Sequence, residues 1–190
     1  MNDYSPSSQT IPAKEKQLEA KDKILVHDAT LCTGCLRCMT TCSTYHFGAT
    51  SLTKSRIQIM RHEGHALTRM DEVDDLIFQP MTCQQCDKAR CQEFCPVRAI
   101  DRDPKTGAMM VNYNRCIGCR TCVAVCPFGA MRYDSVRKKV FKCDLCDGDP
   151  QCVKFCPQEA LQFVPKHLSN MLKIDTIWRK MIELQRVPTQ

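Results

Sequence analysis

Short apolar runs separated by polar turns recur along the middle of the chain and predict small β-strands. Each run has two to four residues, which is too short for an ordinary helix, and each contains β-branched or aromatic side chains. The predicted strands lie at 24–27, 57–60, 76–78, 110–113, 140–141 and 161–164. They flank four groups of cysteines, so we expect a fold in which short strands frame each group.

The two ends of the chain follow different patterns. Residues 1–22 are polar and charged with few apolar anchors, and this composition predicts an arm that becomes ordered only on a partner. In residues 166–190 apolar side chains recur near helical spacing, which predicts a C-terminal helix and tail. The helix could pack on the chain's own core or on another subunit. A central domain over 23–165 then contains every cysteine.

Cysteine is the residue type that dominates the chemistry of this chain. The 190 residues include 16 cysteines, which form four motifs of four. Motif 1 is Cys32, Cys35, Cys38, Cys42; motif 2 is Cys83, Cys86, Cys91, Cys95; motif 3 is Cys116, Cys119, Cys122, Cys126; motif 4 is Cys143, Cys146, Cys152, Cys156. Motifs 1 and 3 read C-x2-C-x2-C-x3-C, and the middle spacer becomes x4 in motif 2 and x5 in motif 4. Proline follows the last cysteine in motifs 2 to 4, whereas Ser43 follows it in motif 1.

Three kinds of chemistry compete for such motifs. A disulfide framework suits small exported chains, but nothing in disulfide chemistry calls for four closely spaced thiols repeated four times. Structural zinc uses two C-x2-C pairs on separate knuckles rather than a third cysteine followed by x3-C-P. In paired cubane iron–sulfur clusters, the first three cysteines of a motif bind one cluster from a tight loop. The fourth cysteine of the motif binds the other cluster of the pair, and the spacing observed here matches this pattern. The motifs therefore favour [4Fe–4S] clusters.

The residues after three of the motifs also repeat. Segments 95–100, 126–131 and 156–161 each read C-P-x-x-A followed by an apolar residue. Because proline suits the first turn of a helix, we predict a short helix there that lays its apolar side chains against a cluster.

With these four motifs the chain resembles the ferredoxin-type subunits that contain four cubane clusters. Such subunits carry electrons for molybdenum and tungsten oxidoreductases, some hydrogenases and formate dehydrogenases. The resemblance covers about 23–165 and rests on the order and spacing of all four motifs. It implies an α+β fold of two intertwined bacterial-ferredoxin-like halves related by a pseudo-twofold axis. Motifs 1 and 4 would form the outer half, and motifs 2 and 3 the inner half.

The resemblance also implies that paired motifs exchange their last cysteines, which gives four [4Fe–4S] clusters with all sixteen cysteines as iron ligands. Site A would comprise Cys32, Cys35, Cys38 and Cys156, and site B would comprise Cys42, Cys143, Cys146 and Cys152. Site C would comprise Cys83, Cys86, Cys91 and Cys126, and site D would comprise Cys95, Cys116, Cys119 and Cys122. Ser43 departs from the family's proline but leaves the ligand set intact.

Segments 42–48 and 55–59 resemble the small subunits of the tungsten aldehyde oxidoreductase and benzoyl-CoA reductase class. The resemblance implies a catalytic tungsten- or molybdenum-pterin subunit as partner, and a further flavin or iron–sulfur subunit would fit as well. Two alternatives stay open: a free polyferredoxin, and the small subunit of a hydrogenase or formate dehydrogenase complex. We find no nucleotide-binding or nucleophile motif, so we expect an electron-transfer subunit that is not itself an enzyme.

Charge and hydropathy narrow the possible partners. The formal net charge is +6, but four oxidised clusters with their thiolates would add about −8, which removes the main argument for a nucleic-acid partner. No apolar run is long enough to span a membrane, and residues 1–10 show neither the apolar region nor the twin arginine of a secretory signal, so we expect a cytoplasmic protein without a membrane span.

Charges near the motifs predict differences in potential among the clusters. Asp144, Asp147 and Asp149 crowd motif 4, and negative charge opposes reduction of a neighbouring cluster. The site B cluster should therefore have a lower potential than the clusters of motifs 2 and 3. His46 could donate to a cluster sulfur or serve a structural role, and the sequence leaves both open.

Overall fold

Short antiparallel strands alternate with short helices, which gives the chain an α+β architecture. The computed structural model describes residues 20–63, 76–172 and 174. The strands are β1 (Lys23–His27), β2 (Gln58–Glu63), β3 (Leu76–Met81), β4 (Ile100–Arg102), β5 (Met109–Val111), β6 (Arg132–Asp134), β7 (Lys139–Phe141) and β8 (Leu161–Pro165). The helices are α1 (Arg37–Phe47), α2 (Arg90–Glu93), α3 (Thr121–Val125) and α4 (Gln151–Lys154).

The strands pair two by two into four small antiparallel sheets. β1 pairs with β8, β2 with β3, β4 with β5, and β6 with β7. The β1–β8 pair places Lys23 opposite Pro165 and His27 opposite Leu161. Because β1 precedes motif 1 and β8 follows motif 4, this sheet brings the two ends of the central region together.

Two separate sets of buried side chains lie between the sheets and helices. The first joins Leu25, Ile57, Leu145 and Leu161 with cysteines of motifs 1 and 4, and α1 packs against α4 beside it. The second joins apolar residues of β4, β5 and β7 with cysteines of motif 3, and α2 packs against α3. Cysteines thus contribute to both cores and make up four of the ten buried residues of the first.

The six predicted strands are all present within a few residues of their predicted bounds. The short helix predicted after each C-P pair is wrong. The chain instead makes a turn there, in which the amides of Arg98, Gly129 and Glu159 donate to the carbonyl of the last cysteine of motifs 2, 3 and 4. These three residues have positive φ, which no helix continues through. A strand or extended segment follows, and β4 and β6 are the two strands that the sequence did not predict.

The serine that replaces proline in motif 1 has a visible structural consequence. Proline at this position would remove an amide and clash with the preceding helical turn, whereas Ser43 lets α1 run for 11 residues. Ser43 is 0% exposed, and its hydroxyl donates to the Thr40 carbonyl and accepts from the Ser51 amide. The departure from the family pattern therefore lengthens one helix and leaves the cysteines in place.

The predicted ends of the chain are described only in part. Residues 20–22 form a single 3₁₀ turn before β1, and the rest of the predicted arm lies outside the described residues. Residues 166–172 are helical, in agreement with the start of the predicted C-terminal helix, and most of 173–190 lies outside the described residues. Within the described ranges, no helix has the length and apolar character that crossing a membrane requires.

Candidate metal centres

Each cysteine motif is a tight loop whose backbone turns through the left-handed region. Leu36 and Arg120 have φ near +60° and directly precede α1 and α3, so the first two cysteines of motifs 1 and 3 lie on a loop and the third on a helix. In motif 2 the residue with positive φ is Gln85, and in motif 4 Leu145 and Cys146 adopt it. Such conformations cost about 1–3 kcal/mol each and concentrate at functional sites.

The structure groups three of the predicted cysteine sets around one cavity each. The four cysteines of site A line one cavity together with Leu36, Ile59 and Pro80. The four cysteines of site C line a second cavity with Met109 and Lys142. The four cysteines of site D line a third with Ile100 and Val140. In each of these sets three cysteines come from one motif, and the fourth is the last cysteine of another motif.

The cysteines of site B come together in the interior. All four are buried, and Cys42, Cys143 and Cys152 belong to one core cluster. Burial raises the pKa of Cys152 far above its usual range, and negative charge on Cys143, Cys146 and Cys42 raises it further. The four thiols of site B are therefore close enough to repel one another when ionised.

The thiols in these sites fit a cationic group that binds several thiolates. Burial raises the pKa of Cys38 to about 12 in site A, that of Cys146 to about 12 in site B and that of Cys122 to about 11 in site D. Neighbouring thiolates contribute to each shift. Such thiols ionise at neutral pH only with a metal centre among them. The donor set and its burial therefore fit [4Fe–4S] clusters.

Electrostatic contacts between the sites indicate their order. Charge on Cys38 of site A raises the pKa of Cys152 in site B. Charge on Cys83 of site C raises the pKa of Cys143 in site B. Charge on Cys91 of site C raises the pKa of Cys122 in site D. The two cores agree with this, since the first joins Cys38 and Cys83 with site B cysteines and the second joins Cys91 with Cys122. Neighbours in space are therefore A with B, B with C, and C with D.

The two ends of this series are the sites that contain an exposed cysteine. Cys35 of site A and Cys119 of site D are exposed. The cysteines of sites B and C are buried or half-buried. Each end of the series therefore has one exposed cysteine, and only site B has four buried cysteines.

A buried charge network lies beside site B. The Arg56 guanidinium forms an ion pair with Asp144, and the two side chains are 10% and 16% exposed. His46 Nε2 lies 3.4 Å from Asp144 Oδ1 and 3.5 Å from Cys146 Sγ, and the Arg56 amide donates to Cys42 Sγ at 3.2 Å. Burial and the Arg56 charge lower the pKa of His46, and Asp144 opposes them. Arg56 Nε is a buried donor without an acceptor in the described part of the chain.

This network compensates part of the negative charge that the sequence predicts beside site B. The aspartates of motif 4 predict uncompensated negative charge near site B, but Asp144 is paired with Arg56. Sequence reasoning does not predict Arg56 as part of a site, because it lies 14 residues from Cys42 and 88 from Asp144. Only the fold brings the three residues together.

Arg56 and Asp144 should shift the potential of one cluster in opposite directions. We expect Arg56→Gln to lower the midpoint potential of the site B cluster and Asp144→Asn to raise it, because positive charge favours the reduced state. One unit charge at about 10 Å in an effective dielectric of about 20 is worth roughly 1.7 kcal/mol, or about 70 mV for one electron, and solvent reduces this.

The double variant is the control, and a redox titration followed by electron paramagnetic resonance is the measurement. The double variant should return close to the unmodified potential, because it removes both charges together. If all four potentials of the Arg56→Gln protein were unchanged, the placement of the Arg56 charge beside a cluster at site B would be contradicted.

The loop of motif 3 has no room for a side chain at its glycine. Gly118 has a φ of +71°, and a Cβ there would lie 2.2 Å from the Lys138 carbonyl oxygen. Gly129 has a φ of +58° and open space around the same position. We expect Gly118→Ala to destabilise site D strongly, whereas Gly129→Ala should cost only the backbone strain of about 1–2 kcal/mol.

Thermal unfolding and iron content of the two variants test this difference. The Gly118→Ala protein should unfold at a lower temperature and contain less iron than the Gly129→Ala protein. Equal losses in both variants would mean that the contact with Lys138 has no consequence.

Comparison with known proteins agrees with the cysteine geometry. Residues 74–166 match the family model of the 4Fe-4S dicluster domain, and residues 29–45 match that of a 4Fe-4S binding domain. Together the two matches contain all four motifs. The chain therefore binds [4Fe–4S] clusters.

Several curated relatives are named as electron transport proteins or as subunits of oxidoreductases. A putative electron transport protein of Escherichia coli, YsaA, is 38% identical over 147 residues, which are 74% of this chain and 88% of that protein. The polyferredoxin-like subunit of the aliphatic sulfonate oxidoreductase of Pyrococcus furiosus is 38% identical over 136 residues, 70% of this chain and 72% of that subunit. The beta subunit of the NADH-dependent phenylglyoxylate dehydrogenase of Aromatoleum evansii is 34% identical over 140 residues, 74% of this chain but only 30% of the longer subunit.

Among solved structures, the active-site complex BamBC of benzoyl coenzyme A reductase is similar over 82% of this chain and 88% of that chain. The sequence identity is 22% and the TM-score 0.42, which is too low to infer a shared fold. The relatives at 38% identity, with most of their own length covered, settle the membership. This chain belongs to the family of ferredoxin-type, [4Fe–4S]-binding electron-transfer subunits of oxidoreductase complexes.

Proposed function

We propose that this chain carries four [4Fe–4S] clusters as a one-electron relay between a catalytic subunit and a second carrier, without a catalytic site of its own. The observation that supports this most is the grouping of the sixteen cysteines into four sets. Each set combines three cysteines of one motif with the last cysteine of another. Bound clusters of this type supply reversible one-electron redox chemistry. The residues of the chain hold them, exclude water and set the local charge.

The proposed ligands are the cysteines of sites A to D as defined above. Backbone amides support their sulfurs: the Arg56 amide donates to Cys42 Sγ and the Ala99 amide to Cys95 Sγ, each at 3.2 Å. Hydrogen bonds to ligand sulfur stabilise negative charge and therefore favour the reduced state. Buried apolar residues such as Ile57 and Met109 keep water from the middle of the relay.

We further propose the domain arrangement that the family resemblance implies. An outer half would contain motifs 1 and 4, and an inner half motifs 2 and 3, related by a pseudo-twofold axis. The packing of α1 on α4 and of α2 on α3 supports this division, as do the two separate cores. The arm at 1–22 and the segment 166–190 would then be additions to a domain at 23–165.

Electrons would enter and leave through the sites at the two ends of the series. Site A contains the exposed Cys35 and site D the exposed Cys119, whereas site B is buried between A and C. The proposed order is therefore A, B, C, D, with one end for the catalytic subunit and the other for the external carrier. The packing of Cys38 and Cys83 with site B cysteines in one core supports this order, as does the packing of Cys91 with Cys122 in the other.

For the partner we propose a catalytic subunit with a tungsten-pterin centre. The support is the resemblance of segments 42–48 and 55–59 to small subunits of tungsten enzymes, together with a relative that is a polyferredoxin-like subunit of an oxidoreductase. A molybdenum enzyme, a hydrogenase, a formate dehydrogenase or the absence of any stable partner are the other outcomes of the test. The cytoplasmic location stays a prediction from the sequence.

The test is anaerobic purification of the untagged protein from its native host, followed by metal analysis of everything that co-purifies. A larger companion that contains tungsten would support the proposal. Molybdenum or nickel in the companion would keep the relay and change the partner. Recovery of the iron-loaded chain alone would favour a free polyferredoxin.

A further inference from the structure

One lysine lies in the interior of the protein, directly before the first cysteine of motif 4. Lys142 is 3% exposed. Its Nζ donates to the carbonyl oxygens of Met109 and Cys143 and to Gln85 Oε1; the Cys143 contact is 2.7 Å and the Gln85 contact 3.4 Å. An ammonium group has three N–H donors and no acceptor, so three oxygen partners match its charged form.

Among the residues that the structure describes, no carboxylate pairs with the charge of Lys142. None of the ion pairs in residues 20–63, 76–172 and 174 includes this lysine. A buried cation without a counter-charge is costly, and proteins almost always pair it. Its surroundings must therefore supply negative charge from a source other than aspartate or glutamate.

The surroundings of Lys142 are the thiols of two neighbouring sites. The side chain lines the cavity formed by the four cysteines of site C. Its Nζ donates to the carbonyl of Cys143, a proposed ligand of site B, at 2.7 Å. Lys142 thus faces both inner sites of the relay at once.

We propose that Lys142 is the shared counter-charge of the clusters at sites B and C and raises the reduction potentials of both. This inference rests on the proposed function, because the counter-charge needs clusters at these sites. Lys142 acts as a positioning residue: it fixes a positive charge between two inner centres without serving as a ligand. An electron would then be stabilised at the two middle sites of the relay relative to the same sites without the charge.

A purely structural role is the alternative that a test must separate. Gln85 also bridges the same elements, since its Nε2 donates to the Cys143 carbonyl at 3.1 Å and its Oε1 accepts from the Met109 amide at 2.8 Å. Lys142 could therefore serve only to hold the loop of motif 2 against motif 4. Charge and hydrogen bonding must be changed independently.

Three variants of the full chain separate the charge from the hydrogen bonds. Each variant is purified together with any partner subunit that binds it. Lys142→Gln removes the charge and keeps a donor, Lys142→Arg keeps the charge, and Lys105→Gln makes the same charge change at an exposed lysine. The measurements are iron content and the midpoint potentials of all clusters, from anaerobic redox titration followed by electron paramagnetic resonance. We expect Lys142→Gln to lower two of the four potentials, and Lys142→Arg and Lys105→Gln to leave all four near the unmodified values.

Loss of iron in the Lys142→Gln protein alone would also support the counter-charge, because the arginine variant differs from it in charge. Equal loss of iron in the Gln and Arg variants would overturn the proposal in favour of a structural role. A fully loaded Lys142→Gln protein with no shift, or with a shift in only one cluster, would overturn it too. Absence of iron–sulfur signals in the unmodified protein would instead refute the proposed function.

Discussion

Removal of iron is expected to unfold this chain rather than to leave an empty scaffold. The described strands form four separate two-stranded sheets, and isolated pairs of strands are at best marginally stable in water. Cysteines contribute to both cores, so loss of the metal leaves polar thiols and cavities where a core should be. For small metal domains of this kind, the free energy of metal binding is the free energy of folding.

Anaerobic treatment with an iron chelator, followed by circular dichroism and limited proteolysis, tests this expectation. The treated protein should lose its ordered signal and become sensitive to protease throughout 20–63 and 76–172. A sample treated with chelator already saturated with iron is the control and should remain intact. An iron-free protein that keeps its protease resistance and unfolds cooperatively would contradict the account.

The exchange of last cysteines between motifs predicts a second large effect, which iron counting can detect. Cys95 belongs to motif 2 but lines the cavity of site D with Cys119 of motif 3. We expect the Cys95→Ala/Cys119→Ala protein to lose one cluster, because both residues are ligands at the same site. It should retain about 12 of 16 irons.

The matched control changes two cysteines of one motif. Cys86 lines the cavity of site C, so the Cys86→Ala/Cys95→Ala protein should lose two clusters and retain about 8 irons. If each motif held its own cluster, the two results would be reversed. Iron and sulfide analysis of both variants, side by side, therefore decides between exchanged and local ligand sets.

The strands could be predicted because their apolar runs are local features. Leu25 and Val140 lie in such runs and are buried in the structure. The turn after each C-P pair could not, because proline suits the second position of a turn as well as the first turn of a helix. Strand β4 escaped prediction because Ile100 is its only apolar residue.

The candidate sites divide in the same way. Motif spacing identifies the cysteines, but the destination of each last cysteine depends on tertiary packing, and the predicted sets came from the family resemblance. No local pattern in the sequence marks Arg56 or Lys142 as a site residue. Arg56 pairs with a residue 88 positions away, and Lys142 donates to Gln85 Oε1 in motif 2 and to the Met109 carbonyl in β5. Electrostatic balance around buried anions is a property of the folded protein.

The most direct test of the central claim is the metal content of the anaerobically purified protein. Four [4Fe–4S] clusters on sixteen cysteines predict about 16 irons and about 16 acid-labile sulfides per chain, with no stoichiometric zinc. Reduction should produce the electron paramagnetic resonance signals of interacting clusters. About four zinc ions per chain, without sulfide and without redox activity, would contradict the account.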